Sequence, residues 1–254
     1  MVRAKKKFGQ HFLINKQISQ QIVRSLVVTS GSNILEIGPG TGALTEYILN
    51  IPNISIYLID IDLESINYLK DKFKIINNNI LYGNFLEINL QELFKGRQVS
   101  IIGNFPYNIS SQIIFTILDQ YKFVNAVVGT FQYEVAERIS SGPNSKKYGI
   151  ISVLTQVYYD ASMLFAIGKE NFYPQPKVES AVIKLVRREK PLVDEQDWGF
   201  FKQLVKASFL HRRKTLRNNL KIFDLSKVIN KEILNLRAEN LSLEDYINLA
   251  KILK

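Results

Sequence analysis

Five short runs of mostly branched apolar residues, at 33–37, 54–59, 79–82, 99–102 and 126–128, recur along the first half of the chain, with amphipathic stretches between several of them. Runs of this length and composition read as buried strands. The stretches 18–26, 63–73 and 110–121 repeat apolar residues at three and four positions, as Ile113, Ile114, Ile117, Leu118 and Tyr121 do, which is the period of a helix packed on one face. Strand and helix in alternation imply an α/β fold with a parallel, doubly wound sheet and helices on both faces. Ligands of such sheets bind beyond the carboxyl ends of the strands, so function is to be sought in the residues just after each run.

A late strand is expected at 178–186. Arg187-Arg188-Glu189-Lys190-Pro191 then interrupts the pattern, and the remainder of the chain is helix-like, including 200–209 and 243–253. The reading is therefore a sheet domain over 1–188 and a small all-α domain over 189–254, a division that 254 residues readily accommodate. The chain's formal net charge of +10 is uneven: 17 basic and 14 acidic side chains up to residue 180, and 16 against 9 beyond it. A basic excess attracts polyanions and, on nucleic acid, is released with counterions as salt-sensitive binding. Two segments mix cations with aromatics: Lys5, Lys6 and Lys7 before Phe8 and Phe12, and Arg212, Arg213, Lys214 and Arg217 after Phe209. RNA is the expected partner.

No Cys and only two His leave no disulfide, no thiolate zinc site and no Cys nucleophile, and no metal is expected. No apolar run approaches the ~18 to 20 residues of a membrane span, and the basic start leads into Phe8 to Asn15 without the apolar core of a signal peptide. A soluble cytoplasmic protein is expected, with no membrane contact.

The first strand is followed by Glu36-Ile37-Gly38-Pro39-Gly40-Thr41-Gly42 and then by a segment that reads as a helix start. Glycines there allow positive φ and close approach of backbone amides to a ligand, although a tight structural turn has the same look. Asp60 ends the second strand, where a carboxylate about 20 residues after the turn accepts ribose hydroxyls. The spacing Gly-x-Gly-x-Gly departs from the dinucleotide fingerprint and is similar to that of S-adenosylmethionine sites. After the fourth strand stands Gly103-Asn104-Phe105-Pro106-Tyr107. Methylating an exocyclic purine amine requires acceptors that orient a lone pair otherwise spread into the ring. The Asn104 oxygen and a backbone carbonyl beside Pro106 suit that task, and Tyr107 suits stacking on the base.

These segments, with Lys7 to Leu13, Phe131 to Arg138, Phe172 to Ser180 and Phe209 to Leu220, resemble the KsgA (RsmA)-type small-subunit ribosomal RNA adenine N6,N6-dimethyltransferases over most of the chain. The resemblance implies a Rossmann-like methyltransferase sheet with S-adenosyl-L-methionine as cofactor. It places His11, Leu13, Gly38, Gly40, Asp60, Asn84 and Asn104 on the cofactor, and Asn104, Pro106, Tyr107 and Phe172 around the target adenine. It implies as substrate two adjacent adenosines in the 3′-terminal hairpin loop of 16S ribosomal RNA, in an assembling small subunit, and a monomeric enzyme. Asn84 departs from the pattern, since an acidic residue is usual there, and Phe105 stands where Leu is commoner. A large-subunit RNA methyltransferase of the antibiotic-resistance type, a nonenzymatic assembly factor and a nicotinamide oxidoreductase are the competing readings.

Overall fold

The computed structural model describes residues 2–254. In chain order the strands are β1 (Phe12–Leu13), β2 (Asn33–Ile37), β3 (Ser55–Asp60), β4 (Ile80–Tyr82), β5 (Val99–Asn104), β6 (Val124–Gln132), β7 (Tyr159–Ile167), β8 (Phe172–Tyr173) and β9 (Ser180–Arg187). The α-helices are α1 (Lys16–Arg24), α2 (Thr45–Ile48), α3 (Leu63–Lys72), α4 (Leu90–Leu93), α5 (Ser110–Asp119), α6 (Tyr133–Ser140), α7 (Ile150–Tyr158), α8 (Glu195–Ser208), α9 (Leu216–Asn219) and α10 (Leu243–Leu253).

Seven strands form one sheet in the order β4-β3-β2-β5-β6-β9-β7. The pairs from β4 to β6 are parallel, and β9 runs antiparallel to β6. Every residue of β2 is buried, as a central strand covered on both faces must be. The chain passes outward from β2 through β3 to β4 and returns to β5 on the other side of β2. The carboxyl ends of β2 and β5 therefore flank a topological switch point, where such sheets open a crevice. Ile22, Ile34, Ile48, Leu58, Ile66, Leu69 and Ile102 belong to one apolar cluster that joins α1, α2 and α3 to the sheet.

The Rossmann-like sheet matches the expectation. Two pairings were not foreseen. Strand β7 exposes Asp160, Ser162, Met163, Leu164 and Ala166, so it lacks the alternation by which a half-buried strand is read. Strands β1 and β8 are two residues each, too short to show a period, and join antiparallel with Phe12 opposite Tyr173 and Leu13 opposite Phe172.

The chain divides into two compact units, one running to Ala136 and including Ser162–Arg187, the other Glu137–Ala161 with Arg188–Lys254. The second thus draws in a segment that lies before the expected boundary near Arg188. Its core is helical and aromatic: the Trp198 ring meets Tyr158 edge-on at 4.7 Å, and Phe209 stacks on Tyr246 at 6.1 Å. Among the described residues no helix is long and apolar enough to cross a membrane, and no group of His, Asp and Glu is arranged to hold a metal.

Candidate active site

At the end of β2 the backbone turns through Gly38, Gly40 and Gly42 at φ of 64°, 54° and 79°. These are left-handed conformations that side chains disfavour. Space is equally restrictive, since a Cβ on Gly40 would lie 2.7 Å from the Phe12 ring and one on Gly42 2.4 Å from Phe73. Behind the turn, Glu36 is 1% exposed and accepts a 2.6 Å hydrogen bond from the Thr45 hydroxyl. Burial pushes its carboxyl up to about 8, opposed by the Thr45 bond and reinforced by the charge of Asp60. Asp60 accepts from the backbone N–H of Asp62 at 2.9 Å and of Gly40 at 3.3 Å, which ties the end of β3 to the glycine turn. Burial raises its pKa as well, and these amides oppose the rise.

Next to this turn, β5 delivers Asn104. Its side-chain NH₂ donates to the His11 backbone carbonyl at 2.6 Å. That bond fixes the amide's orientation, because the reverse would set oxygen against oxygen. The opposite end, Oδ1, is buried and has no hydrogen-bond partner. An orphaned buried acceptor carries a cost that ordinary folding avoids, and it is relieved when a donor arrives. Phe105 turns away into the core, where its ring fills the space left by Gly103 and Gly129; a Cβ on Gly129 would come within 2.1 Å of that ring. Phe in place of the commoner Leu is thus accommodated by two glycines that face each other across β5 and β6. Pro106 and half-buried Tyr107 then line the cleft. The His11 ring lies over Tyr107, with centroids 5.4 Å apart and planes 30° from parallel, and its Nδ1 is 2.6 Å from the Pro174 carbonyl.

These residues surround a cleft of about 270 Å³, which brings His11, Gly38, Gly40, Asp60, Asn84, Asn104, Pro106 and Tyr107 together as the sequence implied. Leu13 is buried and borders a smaller adjoining recess with Gly38 and Asn104. The Asn84 oxygen accepts from the Leu86 N–H at 3.1 Å, capping the next turn, while its NH₂ donates to Glu87. Phe8, from the Lys7 to Leu13 segment, adds an apolar wall; those from Ile61 and Leu86 carried no motif, and only the fold reveals them.

Phe172, expected to frame the base, is 3% exposed and packs in the core cluster with Leu13, Ile167 and Val182. Alternation along β8 leaves Tyr173 as that strand's exposed aromatic. Two of the residues expected to contact RNA also have partners within the protein. Lys5 is engaged by Asp62 and Glu64. In the second unit Arg212 donates to the carbonyls of Lys146 and Tyr148 and pairs with Glu239 at 3.2 Å. Both cations hold the protein's own loops. Lys6, Lys7, Arg213 and Lys214 are exposed, as is Arg217, which donates to Asn235.

The sequence pattern of the family described as Ribosomal RNA adenine dimethylase matches residues 1–254. Ribosomal RNA small subunit methyltransferase A of Cytophaga hutchinsonii is 44% identical, with 99% of this chain and 98% of that one covered. The protein of the same name from Flavobacterium johnsoniae is 43% identical, covering 98% and 95%. Among solved structures, a dimethyladenosine transferase from Plasmodium falciparum superposes with a TM-score of 0.81 at 24% identity, covering 94% of this chain and 96% of that one. The 23S rRNA methyltransferase ErmE superposes with a TM-score of 0.76 at 20% identity, covering 95% and 99%. At these identities the two structures share the fold.

Proposed function

The chain belongs to the ribosomal RNA adenine dimethylase family, and from that premise we propose that it dimethylates the exocyclic amines of two adjacent adenosines in the 3′-terminal hairpin loop of 16S ribosomal RNA, with S-adenosyl-L-methionine as cofactor. The reading has it acting as a cytoplasmic monomer on the assembling small subunit. Residues 1–188 carry the chemistry, and the basic helical residues 189–254 carry contacts to the particle.

The observation that carries this reading is the buried, unpartnered Oδ1 of Asn104 beside the Gly38 turn. The residues present fit the cofactor. Asp60 at the cleft edge, with the apolar Ile59, Ile61 and Phe85, suits a nucleoside, and the glycine turn brings backbone close to the ligand above it. Asn84, uncharged, keeps a carbonyl oxygen able to accept from an adenine amine. When bound, S-adenosylmethionine supplies a methyl group made electrophilic by its sulfonium.

The protein's part is orientation. Asn104 Oδ1 accepts one N–H of the target amine. A backbone carbonyl beside Pro106, in the turn closed by the Ile109 N–H on the Pro106 carbonyl at 3.2 Å, accepts the other. Two acceptors in fixed positions hold the nitrogen so that its lone pair leaves the ring's conjugation, while Tyr107 stacks on the base. A base drawn out of its RNA stack reaches such a pocket. The amine becomes more acidic on alkylation and releases its proton to water, so no side-chain base is required.

Unmethylated small and large subunits incubated with labelled cofactor test the assignment. Mass spectrometry should find dimethyladenosine near the 3′ end of the small-subunit RNA alone; label confined to large-subunit RNA, or none with folded protein, rejects it. Asn104→Ala should lower kcat by about a hundredfold or more and leave salt-sensitive RNA binding in place. Equal loss of both would mean that Asn104 belongs to the docking surface.

A further inference from the structure

Tyr107 stands in the turn between β5 and α5, and a ring in a turn needs bracing if it is to hold a base in one plane. The brace comes from the segment 172–180, by two routes. Ser180 opens β9, opposite Gln132 of β6, and is wholly buried; its hydroxyl is hydrogen-bonded to the Tyr107 hydroxyl. The adjoining backbone is fixed too, since the Tyr133 N–H donates to the Glu179 carbonyl at 2.9 Å. The second route runs through His11, whose ring covers Tyr107 and whose Nδ1 reaches the Pro174 carbonyl.

We infer that Ser180 is a positioning residue for methyl transfer: from the central sheet its hydroxyl holds the Tyr107 ring in the plane on which the target adenine stacks, an inference that rests on the proposed adenine site. Sheet strands move less than turns, so the bond transmits the rigidity of β6 and β9 to a side chain that would otherwise turn about two torsions. This also gives the segment 172–180 a part in the chemistry although Phe172 itself is buried. The segment acts through Ser180 and the Pro174 carbonyl, from behind the aromatic that meets the base.

The test is steady-state methylation of unmethylated small subunits by the wild type, Ser180→Ala, Tyr107→Phe and the double variant, with RNA binding and thermal unfolding recorded for each. Both single variants lose the same hydrogen bond and keep the aromatic ring. Each should lower kcat about tenfold while the KM values for cofactor and RNA stay within about twofold. The double variant should be no slower than the slower single one, because the two hydroxyls act as a unit. Unchanged kcat in either single variant, losses that multiply in the double, or a decline confined to KM would overturn the inference. Should Ser180→Ala fail to fold, Tyr107→Phe decides alone by the same criterion. Absence of transfer by the wild type on any ribosomal RNA would instead defeat the adenine site, and the inference with it.

Discussion

At the scale of single residues, the site is built from groups whose environment matters more than their identity. Asn104 is an ordinary amide until one N–H of its NH₂ is taken by the His11 carbonyl, a bond that sets the amide's orientation and leaves its buried Oδ1 without a partner. Glu36 is a conventional acid made unconventional by burial. Its carboxyl is held near 8 in the fold and titrates at 4.5 in an unperturbed chain. Between those values the folded state keeps a proton that the unfolded state has lost, so this group's contribution to stability falls as pH rises from 4.5 to about 8. Glu36→Gln is neutral throughout and removes that slope. By scanning calorimetry its Tm should fall less than the parent's between about pH 5 and about pH 8; parallel curves would show that Glu36 is ionised in the fold.

Between residues and the whole chain, the element that most shapes the cleft is the segment before α1. It contributes Lys7, Phe8, Gln10, His11 and Phe12 to the wall. It is tied down where β3 ends, by Lys5 on Asp62 and Glu64, by the Lys5 N–H on the Gln10 oxygen at 2.8 Å, and by the Gln10 amide on Asp62 at 3.3 Å. At its other end β1 pairs with β8, and Asn15 caps α1 by accepting from the N–H groups of Gln17 and Ile18. Three consecutive lysines therefore divide into two tasks. Lys5→Ala should weaken cofactor binding a few-fold by calorimetry and leave the salt dependence of RNA binding as it was. Lys6→Ala should lower the slope of log affinity against log salt by about 1 and leave cofactor affinity alone. The opposite pattern would make Lys5 the RNA contact and the strap anchor incidental.

Across the whole molecule, the basic surplus of the late residues belongs to a unit with its own aromatic and helical core. Within that unit Arg212, Arg213 and Lys214 are all exposed, and Arg212 joins the 146–148 backbone to Glu239. Filter binding of small-subunit RNA across a salt series should show the Arg213→Ala/Lys214→Ala variant with a slope lower by about 2 and an unaltered Tm. Arg212→Ala should reduce Tm, and an unchanged Tm together with a lower slope would return Arg212 to the RNA surface. The sequence alone determined the parallel sheet, the glycine turn and the Asn104 to Tyr107 constellation. Each is encoded locally, by apolar period, by residues that tolerate positive φ, and by a motif contiguous in the chain. Only the tertiary structure decided the orientation of the Asn104 amide, the burial of Phe172, the joining of β1 to β8 and the engagement of Lys5 and Arg212. Those depend on partners far apart in the chain, His11 with Asn104, Leu13 with Phe172 and Lys5 with Asp62, and no local pattern specifies which distant group will be there to accept a bond or exclude water.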